Sequence, residues 1–177
     1  MKGLESHEGG TRSTVGRVPV LAESDIACNI IARMRFVLDT DAMVAALRCD
    51  AGASRWLLRA ALERRRGLTL LVSVPLLIAY EAVMTRAEDL RVARLSAADV
   101  GVVLDAVAAT AEPVRLAYLW RPALPDVDDD MVLEAAVNGR ADGIVTFNLR
   151  DFGPLTERFG IPALSPGEAM RQLEKRS

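Results

Sequence analysis

The chain has 177 residues, of which 51% are hydrophobic and 26% are charged, and its formal net charge is −2 at pH 7. This length suffices for one globular domain with a sizeable core and is too short for two ordinary domains. The slightly acidic balance argues against a polybasic protein that binds nucleic acid by bulk charge, so any contact with nucleic acid must be local.

Histidine, lysine and cysteine are too scarce for several common kinds of catalysis. The single histidine is His7, so Ser-His-Asp and Cys-His mechanisms and His-rich zinc sites lack their central residue. The two lysines stand at positions 2 and 175, which leaves no interior lysine for a P-loop or a Schiff base. Cys28 and Cys49 are isolated and are interpreted as reduced structural residues.

The termini and the longest apolar stretch indicate location and domain organisation. Residues 68–80 are uncharged but fall short of the ~18–20 residues of a membrane helix, and no secretory signal begins the chain. We therefore expect a cytoplasmic protein without membrane contact.

Residues 1–33 are rich in Gly, Ser, Thr and charge, and we expect a disordered extension or a start-site artefact there; a short helix at 23–33 is the alternative. A single domain is expected over 34–177.

From Met34 onwards, short apolar runs alternate with helical patterns. Apolar runs bounded by turn residues predict buried strands at 35–38, 68–74, 113–116, 143–147 and 161–164. Helical spacing and capping residues predict helices at about 41–48, at 53–66, after Ser73, after Ser96, at 128–138 and after Ser165. The alternation predicts an α/β protein with three layers, in which a central parallel sheet carries helices on both faces.

Acidic and amide side chains recur where these strands end or helices begin. They are Asp39 and Asp41, Glu81, the run Asp126 to Asp130, and Asn148 with Asp151. A parallel sheet binds ligands beyond the carboxyl ends of its strands. Carboxylates that a fold brings together repel one another unless they stay in water or share a hard cation such as Mg²⁺ or Mn²⁺. The joint pattern predicts a metal site.

Each of these positions also has a purely structural explanation. Asp39 or Asp41 would cap the next helix, Glu81 would pair with an arginine, the aspartate run would complement a helix dipole, and Asn148 with Asp151 would form an Asx-turn. Four unrelated capping events at one sheet edge explain the pattern less simply than one shared site.

Four stretches in this order cover nearly all of 34–174: FVLDTDAMVAAL, LLVSVPLLIAYEAVMTR, PDVDDDMVLEAAVNGRADGIVTFNLRDF and GIPALSPGEAMRQL. Together they resemble the PIN-domain ribonucleases, and specifically those that act as toxins of type II toxin–antitoxin systems. The resemblance implies a PIN-like parallel α/β fold and cleavage of RNA that depends on Mg²⁺ or Mn²⁺. It also implies a cognate antitoxin protein as a partner, and we expect a homo-oligomer, namely a dimer.

The resemblance assigns roles to individual residues. Asp39 is similar to the first metal-binding aspartate of the family and Glu81 to its second acid. The third acid is Asp129 or Asp130, with Asp129 preferred. Asn148 takes the fourth position, which is usually aspartate, so one charge for a second cation is missing.

Further residues would support this site. Thr40 and Thr146 resemble hydroxyl positions that orient the acids, and Asp151 would take part of the role of the missing fourth acid. Asp39 and Asp129 would then hold the ion, while Glu81 and Asn148 would position a water on it. Arginines such as Arg121 or Arg150 would contact RNA phosphates, although nothing in the sequence selects among the 20 arginines.

Two other functions compete with the ribonuclease. With asparagine at 148, the domain would serve as a degenerate PIN domain that binds RNA or protein without activity. The motif Asp39-Thr40-Asp41 also resembles the nucleophile motif of haloacid-dehalogenase-type phosphatases, but that family needs a downstream basic residue, usually lysine, and no lysine lies between 3 and 174.

Overall fold

The computed structural model describes residues 33–65, 67–119 and 129–176, and only the backbone of 154–157. Within these ranges it contains five strands and eight helices. The strands are β1 (Met34–Leu38), β2 (Leu68–Val72), β3 (Glu112–Pro113), β4 (Gly143–Val145) and β5 (Ala163–Leu164). The helices are α1 (Thr40–Arg48), α2 (Ala53–Leu62), α3 (Val74–Met84), α4 (Ala87–Ala93), α5 (Ala97–Thr110), α6 (Asp130–Gly139), α7 (Leu149–Phe159) and α8 (Pro166–Glu174).

The five strands form one sheet in the order β3-β2-β1-β4-β5, and every neighbouring pair is parallel. The chain builds outward from β1 to β3 and then returns to add β4 and β5 on the other side of β1. The direction of winding therefore reverses between β1 and β4, which is where open α/β sheets place their binding crevice. The predicted fold class is confirmed.

Strand β1 shows that both faces of the sheet are covered. Its consecutive residues Phe36, Val37 and Leu38 are only 1%, 0% and 1% exposed. Successive side chains of a strand point to opposite faces, so both sides of β1 must lie under other elements. This arrangement leaves the ends of the strands as the places where polar side chains can gather.

Helix starts follow the predicted capping signals. Ser73 is the N-cap of α3, and its Oγ accepts a hydrogen bond from the backbone N–H of Leu76. Ser96 and Ser165 each form a capping box with the acid three residues later, at the starts of α5 and α8. These signals depend on a few neighbouring residues, so the sequence alone is sufficient to locate them.

Several elements differ from the prediction. The strand expected at 113–116 is only Glu112–Pro113. The backbone N–H of Val114 still donates to the carbonyl oxygen of Val72, and the N–H groups of Ala117 and Tyr118 donate to Oδ1 of Asn138. Helices α4 and α7 are additional elements that the sequence patterns did not predict. Helix α6 begins at Asp130, and the residue with a left-handed backbone after it is Arg140, with φ of 51°.

Gly139 has a packing role at the end of α6. A Cβ atom at this position would lie 2.9 Å from Cδ1 of Leu71 and 2.9 Å from Cγ2 of Val114. The absence of a side chain therefore lets α6 approach β2 closely.

Parts of the sequence-based prediction fall outside the described residues. The extension over 1–33 and the alternative helix at 23–33 lie outside them, except for Arg33, which is described. Arg121 and residues 126–128 also lie outside the described residues. The domain boundary therefore stays a prediction. None of the helices in the described ranges has the length and apolar character that a membrane span needs.

Tyr80 connects α3 to the end of β1. Its side chain is fully buried, and its hydroxyl donates a hydrogen bond to the carbonyl oxygen of Leu38. Burial raises the pKa of Tyr80 well above its ordinary value, so the hydroxyl keeps its proton and remains a donor. Because Leu38 immediately precedes Asp39, this bond helps to fix the backbone that carries the first predicted site residue.

We expect Tyr80→Phe to lower the free energy of unfolding by about 1–2 kcal/mol, since it removes a buried hydrogen bond while keeping the ring. Urea unfolding followed by circular dichroism measures this as a lower midpoint with an unchanged slope. An unchanged midpoint would show that the bond contributes nothing to stability.

Candidate active site

Asp39 lies directly after β1 and is only 2% exposed. It is the N-cap of α1, and its Oδ1 accepts from the backbone N–H of Thr40 at 2.5 Å and from the Thr40 hydroxyl at 3.2 Å. Its Oδ2 accepts from Oγ1 of Thr146 at 2.7 Å. Asp39 is therefore both a helix cap and a buried carboxylate held between the ends of β1 and β4.

Asp41 reaches from the first turn of α1 to the segment after β4. Its Oδ2 accepts from the backbone N–H of Phe147 at 3.0 Å and lies 3.4 Å from Oγ1 of Thr146. Its Oδ1 is buried and has no hydrogen-bond partner among the described residues. Asp41 belongs to the acidic pattern of the sequence, which gave it the role of a possible cap but no role in the PIN site, and the structure places it beside Asp39. We call Asp39 and Asp41 the acidic pair.

Thr146 joins the two members of the acidic pair. Its hydroxyl has one proton, and the shorter distance assigns that proton to Asp39 rather than Asp41. The same hydroxyl oxygen accepts from the backbone N–H of Asn148 at 2.9 Å, which fixes the direction in which the proton points.

The acidic pair is electrostatically unfavourable without a cation. Burial raises the pKa of Asp39 above its usual value, even though Thr146 and Thr40 donate hydrogen bonds to it. Burial and then the neighbouring charge of Asp39 raise the pKa of Asp41 to about 6. Both carboxyl groups therefore hold their protons more tightly than they would in water.

Two cavities meet at Thr40, next to the acidic pair. The first cavity has a volume of about 400 Å³ and the second about 330 Å³. Thr40, Val83 and Arg86 belong to the walls of both. Asp41 lines the second cavity and Asp129 lines the first, so an acid stands in the wall of each of the two adjoining cavities, which we together call the cleft.

The two candidates for the third acid occupy different surroundings. Asp129 is partly exposed and stands in the wall of the first cavity, immediately before α6. Asp130 is the first residue of α6, and its side chain is 0% exposed. The geometry thus places Asp129 where a ligand in the cavity can reach it.

Glu81 does not line the cleft that Thr40 and Asp129 border. The side of α3 that lines the first cavity carries Ile78, Ala79 and Ala82. Glu81 is exposed in a separate groove of about 200 Å³, which shares Ile78 with the first cavity and has Leu104 and Asp105 of α5 in its wall. In an α-helix, a residue two positions after Ala79 points about 200° away from it, which explains the separation. Helix α3 therefore contributes alanines and not a carboxylate to the cleft.

Asn148 and Asp151 interact with each other at the start of α7. Nδ2 of Asn148 donates to Oδ2 of Asp151, and the Asn148 side chain is exposed. The backbone of Asn148 is tied to the acidic pair through Thr146. Asn148 thus lies at the predicted sheet edge, and its side-chain amide is engaged locally by the side chain of Asp151, which differs from the side chain–backbone bond of an Asx-turn.

The donor set at the cleft fits one hard divalent cation. Among the described residues, no group of three His, Cys, Asp or Glu side chains converges closely enough to hold a metal ion. Mg²⁺, however, commonly binds through one or two carboxylates and completes its shell with water and substrate phosphate. The unpartnered Oδ1 of Asp41 and the mutual repulsion of the acidic pair are features that a bound cation would relieve.

Metal-free protein should lose stability as the pH rises from about 4 to about 6.5. The folded pKa of Asp41 is about 6 against 3.8 for an unperturbed side chain, so between these values the folded state binds more protons than the unfolded state. The shift corresponds to at most about 3 kcal/mol, and we expect about 1–2 kcal/mol because the carboxyl keeps part of its solvent contact.

Urea unfolding in EDTA across this pH range measures the effect. Asp41→Asn should make the decline shallower and leave the part that comes from the raised pKa of Asp39, whereas Asp105→Asn, at an exposed position in the separate groove, should retain the full decline. A decline that is equally steep in Asp41→Asn would contradict the assignment.

Comparison with models of protein families shows which family has this fold and this set of site residues. A model described as a PIN domain matches residues 35–150, about two thirds of the chain, and the match includes the acidic pair, Asp129 and Thr146. Comparison with curated proteins gives no significant match. PIN domains are generally nucleases and typically use divalent metals. The matched span and the parallel α/β fold lead to one conclusion: the chain belongs to the PIN-domain family.

Proposed function

We propose that this PIN domain is an endoribonuclease that requires Mg²⁺ or Mn²⁺ and hydrolyses RNA phosphodiester bonds. The observation that carries the proposal is the acidic pair, which Thr146 holds at the junction of β1 and β4 beside an open cleft. A site of this kind has carboxylate oxygens for a hard cation and space for a substrate next to them.

Asp39 and Asp41 would hold the cation, with Asp129 in the wall of the adjoining first cavity. This assignment keeps Asp39 and Asp129 from the sequence-based set and adds Asp41. When bound, a divalent ion would stabilise the negative charge that develops on the phosphoryl group during hydrolysis. Thr146 would keep the Asp39 carboxylate oriented, because its hydroxyl proton has only one favourable acceptor.

Asp41 acts as a ligand in this proposal and not as a general acid. Its raised pKa results from burial and from the charge of Asp39. A cation next to the pair favours the ionised form of both groups and would bring the pKa down again. The same reasoning makes a phosphatase mechanism less favourable, because an ionised Asp41 has no proton to donate as a general acid.

The toxin role is the more specific part of the proposal. It includes a cytoplasmic location, a cognate antitoxin protein and assembly as a homodimer. The support is the ordered resemblance of residues 34–174 to toxins of type II systems. A small neighbouring gene that encodes a DNA-binding protein would add support for the antitoxin.

A binding module without activity is the second candidate. Two observations favour it: α3 presents Ala79 and Ala82 to the cleft where an acid was expected, and Asn148 replaces the usual fourth aspartate. Fewer charges at the cleft weaken the attraction for a second cation, so the reaction we propose rests on one ion.

Asp39→Asn should lower RNA cleavage by about 100-fold or more, because it removes a charged ligand from the site. The fold should survive, since asparagine caps helices about as well as aspartate. Asp41→Asn should also lower the rate. The measurement is cleavage of mixed cellular RNA by the full chain with Mg²⁺ or Mn²⁺.

Glu81→Gln serves as the matched control, because Glu81 is an acid on a different helix, α3, and lines a different groove. It should cleave at the wild-type rate. If wild-type protein and both aspartate variants are equally inert, the binding module replaces the enzyme as the better account.

A further inference from the structure

Arg86 occupies a distinctive place in the cleft. It lies directly before α4, and its side chain lines both cavities, next to Thr40 in each. Its side chain is exposed and forms no hydrogen bond or ion pair within the described ranges. A guanidinium group that faces the cleft without a protein partner is available for an anionic ligand.

The other arginine of the second cavity is already neutralised. Arg48 forms an ion pair with Asp89 at 2.5 Å, and the Asp89 side chain is largely buried. This pairing holds Arg48 in the wall of the cavity. The positive charge that the cleft offers to a ligand therefore comes, within the described residues, from Arg86.

The position of Arg86 relative to the acidic pair matches an extended phosphodiester chain. Thr40, which directly follows Asp39, and Arg86 lie in the walls of both cavities, and Asp41 lies in the wall of the second. A strand that crosses Thr40 from the first cavity to the second would place one phosphate near the acidic pair and a neighbouring phosphate near Arg86. Arginine suits such a contact, because its planar donors can bind two phosphate oxygens at once.

We propose that Arg86 binds the RNA backbone at a phosphate adjacent to the bond that is cleaved at the acidic pair. The inference rests on the proposed nuclease function and adds to it the residue that positions the strand. It also selects one arginine for this contact, a choice that the sequence alone did not permit. The competing explanation is that Arg86 only balances the charge of the cleft acids.

The test measures binding of a fluorescently labelled single-stranded RNA of mixed sequence to the full chain. Asp39→Asn protein with Mg²⁺ serves as the background, so that cleavage does not consume the strand. Dissociation constants are determined by fluorescence anisotropy at several salt concentrations. Arg86→Ala, Arg86→Gln and Arg86→Lys are compared with Arg91→Ala, an exposed arginine of α4 that lines neither cavity.

Loss of one phosphate contact should weaken binding by about tenfold. It should also reduce the steepness of the plot of log binding constant against log salt concentration by about 0.7, the value for one contact on a single strand. Arg86→Ala and Arg86→Gln should both show this change. Arg86→Lys should retain the slope and lose only part of the affinity, since it keeps the charge but not the planar donors. Arg91→Ala should match the background protein.

Either of two results would overturn the inference: unchanged affinity and slope in Arg86→Ala and Arg86→Gln, or no RNA binding by the background protein. A cleavage assay on otherwise wild-type protein separates this inference from the proposed function. If that protein is inert while the Arg86 variants lose one contact, the nuclease proposal fails and the RNA contact stands. If it cleaves RNA and the Arg86 variants keep affinity and slope, the inference fails alone.

Discussion

The hydrogen bond from Thr146 to Asp39 determines where the candidate site lies. The two residues immediately follow β4 and β1, and the register of these parallel strands, which pairs Leu38 with Val145, brings them together. The ladder ends with the Asp39 N–H donating to the carbonyl oxygen of Val145 at 2.8 Å, and the side chains then continue the connection at 2.7 Å. A shift of either strand by one residue would turn one side chain to the opposite face of the sheet.

The same connection concentrates negative charge in a poorly solvated place. Backbone N–H groups of Thr40 and Phe147 and the hydroxyl of Thr146 offset part of the cost of burying the acidic pair. The raised pKa values show that these donors do not offset all of it. A fold that needed only stability would not keep two carboxylates here, so the unrelieved repulsion supports a role in binding a cation.

Local signals explain what the sequence could predict. Strand and helix alternation and the capping boxes at Ser96 and Ser165 each depend on residues close in the chain, and the parallel sheet then places the residues after β1 and β4 at one edge. Glu81 lines a different groove from Asp41 and Asp129, which the sequence could not show. Helix α3 is apolar on nearly all sides, so its sequence pattern does not reveal which side faces the cleft. The contact of Asp41 with Phe147 spans 106 residues of sequence, and no local pattern encodes it.

The central claim is that the acidic pair holds a divalent cation. Titration of the full chain with Mn²⁺, followed calorimetrically, tests it most directly. We expect one ion per chain, with affinity reduced by about tenfold or more in Asp41→Asn because a carboxylate ligand is lost. Glu81→Gln should bind like the wild type. Absence of Mn²⁺ binding, or a loss of binding in Glu81→Gln with none in Asp41→Asn, would contradict the claim.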